Sequence, residues 1–251
     1  MVAKRIIPCL DVKDGRTVKG INFVGLQDVG DAVELGKHYA EQGADELVYL
    51  DISATYEGRH TFTNLVQRIS QHINIPFTVG GGISSIDDAA RLLDAGADKI
   101  SINSAAVYNP QLIDQIANKY GSQFVVLAID ARETEGVWHI TTHGGHKDTD
   151  KELFSWAREG QERGAGEILF TSMNHDGTRQ GYPCDTFARL ASQLSIPIIA
   201  SGGAGSVADI ADVLTLGKAD AALAASIFHY GEITVGELKK QLNERKINIR
   251  L

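Results

Sequence analysis

Two aspartates, Asp11 and Asp130, each end an apolar stretch and open a long polar connection. Separated carboxylates can act as acid and base on one substrate when their environments push their pKa values apart. The competing reading is that each caps a loop, and a lone aspartate would favour it. A pair in matching contexts favours chemistry. Two glycine-rich turns add anion chemistry: Gly80, Gly81 and Gly82, then Gly202, Gly203 and Gly205, each running into a helix-start signal. Backbone N–H groups at a helix start, with no side chain in the way, make a phosphate seat. Asn103-Ser104 and Ala225-Ser226 stand in matching places after the next strands. One Gly-Gly alone means little, because tight strand-to-helix turns need glycine anyway. Two such turns predict a phosphate at each end of one elongated ligand, lying between the aspartates.

The elements that position these residues follow from an internal repeat. IIPCLD, GADELVYLD, IPFTVGGG and GADKISINS recur in the same order, roughly 120 residues later, as VVLAID, GAGEILFTS, IPIIASGG and KADAALAAS. Eight apolar segments rich in Ile, Val and Leu, at 5–11, 46–51, 77–80, 99–103, 124–130, 167–171, 198–201 and 221–224, read as strands of a covered parallel sheet. Helical patterns alternate with them. Ala32, Leu35, Gly36, Tyr39 and Ala40 share one helix face, and Asn109-Pro110 reads as N-cap and first helical position of a helix that Gly121 stops. Ser85 with Asp88, and Ser206 with Asp209, resemble capping boxes with Asp in place of Glu. The pattern predicts an α/β chain, a single (β/α)8 TIM barrel domain over residues 1–251 built from two repeated (β/α)4 half-barrels. An open doubly wound sheet is the alternative, and the division into two four-unit halves favours closure. Connections 12–30 and 131–149 are long and fall on the same face; the second contains VWHITTHGG and reads as a small hairpin.

Side-chain alternation along the strands gives a further reading. If Asp11 faces the axis, so do Cys9, Ile7 and Arg5; Lys99 then lies beneath Ser101 and Asn103, and Glu167 beneath Leu169 and Thr171. With Glu46 this sets two positive and two negative side chains round the lower end of the axis. From the residues alone, a salt-bridge plug is the better reading than a charged gate. His143 and His146 read as loop residues rather than metal ligands, Cys9 as a small buried side chain, and Asp176 as a contact to a substrate hydroxyl or a turn former. A net charge of −8 without a basic block argues against nucleic acid. No segment has the length and apolarity of a membrane span or signal peptide, and Cys9 and Cys184 suggest no disulfide framework. The expectation is a cytoplasmic protein with no metal, no cofactor and no membrane partner.

AKRIIPCLDVKDGRTVKG, VGGGI, GADKISINSAAV, GAGEILFTSMNHDGT, ASGGAG and ADAALAASIFH resemble, nearly end to end, the cyclase subunit family of imidazole glycerol phosphate synthase in histidine biosynthesis. The resemblance implies a lyase that takes ammonia from a glutaminase partner in a heterodimer. It would split and cyclise a two-phosphate ribulosyl aminoimidazole substrate into imidazole glycerol phosphate and an aminoimidazole carboxamide ribotide. It further implies Asp11 and Asp130 as the acid–base pair. Gly82, Asn103 and Ser104 would form one phosphate site, and Gly203, Ala225 and Ser226 the other. Lys19 would be the functional lysine of the first loop, and Asp51, Thr171, Asp176 and Ser201 would line the cleft. Arg5, Glu46, Lys99 and Glu167 would form the gate at the ammonia entrance, which reverses the preference for a plug, and Asp98 would touch the glutaminase.

Three stretches depart from the family pattern. Gly181-Tyr182-Pro183 stands for Gly-Tyr-Asp, GGHKDTD lacks the usual Gly-Gly-Arg, and SVADIADVL replaces a Glu-His-Phe helix opening. The first two fall on active-face loops and touch substrate ordering. Two other readings compete. The neighbouring isomerase of the pathway has the same barrel and aspartate pair but needs no ammonia. A non-catalytic phosphate-binding barrel would not require an intact Asp pair.

Overall fold

The computed structural model describes residues 2–13, 15–21, 24–52 and 63–251, with the backbone alone at the described positions between 19 and 27. Among these residues, eight strands run parallel and close into a barrel: β1 (Arg5–Lys13), β4 (Leu47–Asp51), β5 (Phe77–Gly80), β6 (Lys99–Ile102), β7 (Val125–Thr134), β10 (Glu167–Ser172), β11 (Ile198–Ser201) and β12 (Ala221–Ala224). Each pairs with the next in chain order, and β12 returns to β1 with Ile7 opposite Leu223. All eight strand expectations hold, with ends shifted by a residue or two and with β1 and β7 running on past their aspartates.

Those extensions carry hairpins. Strands β8 (Val137–Thr142) and β9 (Lys147–Glu152) continue antiparallel from β7, as VWHITTHGG suggested. Strands β2 (Arg16–Ile21) and β3 (Val24–Asp31) do the same from β1, in a stretch without a hairpin signal. Both halves therefore have the same plan: a long first strand, a hairpin, a helix and three short strands.

The side-chain alternation holds as well. Ile6, Leu10 and Val12 point outward into the helix-packed core, while Ile7 and Cys9 join Val48, Val126, Leu169 and Ile199 inside the barrel. An interior filled this way is a packed core on which the cleft rests. At the helix starts, Ser85 accepts from Asp88 N–H at 3.1 Å and Ser206 from Asp209 N–H at 3.2 Å. The returning carboxylates reach one residue further back than in a standard capping box, to the N–H groups of Ser84 and Gly205. The expected Asn109-Pro110 start is shifted: a short helix, Ser104–Tyr108, ends at Asn109, Pro110 is the N-cap, and the next helix begins at Gln111. Gly121, at φ 92°, stops that helix as predicted.

Candidate active site

The C-terminal ends of the strands open into a cavity of about 720 Å³. It is lined by Asp11, Asp51, Gly82, Asn103, Ser104 and Asp130 from the first part of the chain, and by Thr171, Asp176, Ser201, Gly203, Ala225 and Ser226 from the second. Twelve residues singled out by type and spacing or by the family resemblance thus share one cavity. The side chain of Lys19 lies outside the described residues.

Asp130 lies within β7, where its carboxylate accepts a hydrogen bond from Asn103 Nδ2 at 2.8 Å and another from the Thr171 hydroxyl. Burial pushes its pKa up from an ordinary 3.8 to about 7; the charge of Asp176 adds to the rise, and the two hydrogen bonds oppose it. Such a carboxyl is poised to give and take a proton near neutrality. Asp11, on β1, is buried, and the Cys9 thiol lies 3.9 Å from its Oδ1.

The two glycine turns match in detail. Gly81 and Gly202 have φ of 99° and 84°. A Cβ on Gly81 would run into the Asp51 carbonyl, and one on Gly202 would lie 2.6 Å from the Ser172 carbonyl. Only glycine lets the turn approach the neighbouring strand end this closely. Beside each turn a short helix begins at the cavity wall, Ser104–Tyr108 after Asn103 and Ser226–His229 after Ala225. Their first N–H groups and the glycine turns form two donor-rich ends suited to anions.

At the opposite, N-terminal end of the axis, Arg5 Nη1 bonds Glu46 at 2.7 Å and Glu167 at 2.9 Å. Lys99 Nζ bonds the same two carboxylates at 3.0 and 3.1 Å. The four side chains close a ring of alternating charge, mostly buried, across the barrel floor. Asp98, exposed beside Lys99, accepts from the Phe77 N–H at 3.0 Å, as Asp220 does from Ile198 at the repeat-related position.

The cavity also takes residues that the sequence reading set aside or passed over. His143 and His146, from the β8–β9 turn, line it, and the His143 N–H donates to Ser104 Oγ at 3.0 Å. Tyr108 and Arg179 line it as well, and Arg179 pairs with Glu232. No local pattern marks these; the hairpin that brings the histidines inward is the relevant signal. Among the described residues no group of three or more His, Cys, Asp or Glu side chains is arranged to hold a metal ion.

The family described as histidine biosynthesis protein matches residues 5–234, which carry the whole barrel. The chain belongs to this family. Within the histidine biosynthesis family it is similar over its full length to proteins named imidazole glycerol phosphate synthase subunit HisF. That of Bacteroides fragilis is 64% identical over 250 residues, covering 100% of both chains. Those of Cytophaga hutchinsonii and Flavobacterium johnsoniae are each 58% identical, again over 100% of both chains. No helix among the described residues is long and apolar enough to cross a membrane.

Pro183, one of the departures from the family pattern, is the N-cap of the helix Cys184–Gln193 and offers no side-chain acceptor. Its effect therefore falls on a helix start, and Tyr182 beside it stays buried with its hydroxyl on the Leu223 carbonyl at 2.9 Å.

Proposed function

We propose that the chain is the cyclase subunit of imidazole glycerol phosphate synthase, a cytoplasmic lyase working as one (β/α)8 unit over its 251 residues. It would use ammonia supplied by a glutaminase partner. The observation that carries the reading is the pair Asp11 and Asp130 on opposite sides of one cavity, between two glycine-lined anion seats. Such a cavity suits an elongated ligand with a phosphate at each end, so that the reacting centre lies over the carboxylates.

In this reading ammonia adds to the ribulosyl carbonyl. Asp130, with a pKa of about 7, protonates the departing oxygen. Asp11 removes protons as the C–N bond breaks and the imidazole ring closes. The Asn103 and Thr171 hydrogen bonds fix the Asp130 carboxylate toward the substrate. The ring of Arg5, Glu46, Lys99 and Glu167 would be the point at which ammonia enters the axis, and exposed Asp98 beside it a contact for the glutaminase. Lys19 belongs to the same reading as a substrate contact from the first loop.

The neighbouring isomerase reaction uses a similar aspartate pair and a two-phosphate ligand, but no ammonia. The test supplies the ribulosyl aminoimidazole bis-phosphate with and without ammonium salt. Formation of imidazole glycerol phosphate only with ammonium supports the cyclase. Turnover that ignores ammonium overturns it.

A further inference from the structure

Asp130 and Asp11 sit among different neighbours, and on the Asp11 side a residue outside the cavity lining bears on the strand. On the Asp130 side, Asn103 at the mouth of the first seat reaches the carboxylate directly at 2.8 Å. Ala225 stands at the corresponding place in the second half, with similar backbone angles, φ −127° against −128°, but only a methyl group to offer. On the Asp11 side a contact of the second half reaches the strand one turn later. His229 closes the short helix that Ser226 opens, and its Nε2 lies 3.0 Å from the carbonyl oxygen of Cys9, two residues before Asp11 on β1.

The chemistry of that contact assigns the tautomer. A carbonyl only accepts, so Nε2 carries the proton, and in the neutral ring Nδ1 is then the acceptor. Its partner is the hydroxyl of Tyr39, 2.6 Å away, on the helix Ala32–Glu41. The phenol is a dependable donor, because burial pushes its pKa up to about 12. The β1–β12 ladder ends at Pro8 opposite Ala224. Past that point β12 turns into the seat helix, and the imidazole takes over the hydrogen bonding of β1 that a strand would otherwise supply.

We propose that His229 is a positioning residue, tying the second phosphate seat to the strand that carries Asp11 through a Tyr39–His229–Cys9 chain of hydrogen bonds. Val107 occupies the repeat-related position, so the tie belongs to the Asp11 side alone. Phosphate held at Ala225 and Ser226 fixes the helix, the helix fixes the imidazole, and the imidazole fixes the height of β1 at its catalytic end. The proposal rests on Asp11 acting in the chemistry.

The test uses ammonium-driven turnover of the bis-phosphate substrate by the full chain, normalised to the folded fraction. His229→Leu removes the donor and is expected to lower kcat by about tenfold or more while moving KM by less than about threefold, the signature of a misplaced reacting group. His229→Gln carries an amide N–H to the same region and is expected to recover most of the loss. Binding of inorganic phosphate is expected to be unchanged in both. The proposal is overturned if His229→Leu keeps kcat within about twofold of wild type, if the Gln variant falls as far as the Leu variant, or if kcat and KM change by the same factor. Asp11→Asn is measured alongside. If it keeps wild-type turnover, the acid–base reading fails and the positioning role fails with it; if it is inactive while His229→Leu is not impaired, only the positioning role fails.

Discussion

Asp130 is where residue-scale chemistry is most exposed to measurement. Its pKa is raised from an ordinary 3.8 to about 7 by burial and by the charge of Asp176. A carboxyl raised on folding binds more protons in the native than in the unfolded state, so its contribution to stability is complete below about pH 4 and is lost as pH rises through 7. Asp130→Asn, which cannot ionise, is therefore expected to gain stability over wild type between pH 4 and pH 8, by about 1–4 kcal/mol, in denaturant titrations at a series of pH values. A gap that stays constant with pH would contradict the raised pKa. Asp176→Asn removes the neighbouring negative charge, so any kcat inflection near pH 7 should move to lower pH. An unmoved inflection would mean that another group titrates. The sequence showed both aspartates, because each ends an apolar run in a repeated context. It did not show the Asn103–Asp130 bond or the His229–Cys9 bond. The first is a side-chain contact between the consecutive strands β6 and β7 that no spacing specifies, and the second crosses the seam where β12 meets β1 and ends on a backbone carbonyl that no residue type announces.

Elements follow the repeat, and their departures from it have local causes. The matching strand and helix signals in the two halves made the barrel legible, since each half supplies the same four units. The β2–β3 hairpin was not legible. RTVKGI and VGLQDVGD lack sustained alternation of apolar and polar residues, because that ribbon grows from the end of β1 beyond the packed barrel. The start of the Gln111–Tyr120 helix was misplaced by a residue because Asn109 already closes the preceding short helix. Helix starts offer a direct test. Ser85 caps its helix through the Asp88 N–H, and Ser85→Ala is expected to cost about 1 kcal/mol. Pro183 caps nothing with its side chain, so Pro183→Ser is expected to stabilise by about 0.5–1 kcal/mol. Serine is preferred over the family's aspartate there, because the Cys184 thiol pKa, raised first by burial, is raised further by the negative charges of Asp212, Asp185 and Asp209 that already crowd this helix start. Equilibrium urea unfolding of both variants checks the pair; equal midpoints for Pro183→Ser and wild type would remove the capping argument.

At the scale of the whole molecule, the barrel is fastened at its seam and the chemistry is set across it. The C-terminal helix Val235–Glu244 sends Lys239, only 4% exposed, to the Gly43 carbonyl at 2.7 Å and to Asp45 at 2.9 Å. Asp45 in turn accepts from the Ile6 N–H at 2.8 Å, so one buried ion pair links the last helix to the first strand. Lys239→Met leaves Asp45 buried without its cation and is expected to cost about 3 kcal/mol in denaturant unfolding. A loss below about 0.5 kcal/mol would show that the seam does not depend on it. Closing the seam brings β1 beside β12 and puts the two halves' aspartates across a single cavity. Turnover by Asp11→Asn and Asp130→Asn, each supplied with ammonium salt and the bis-phosphate substrate and each shown to bind that substrate, tests the central claim most directly. Both variants are expected to bind as wild type does while kcat falls by about a hundredfold or more. Wild-type turnover by either one would contradict the assignment of the pair as the acid and base of this reaction.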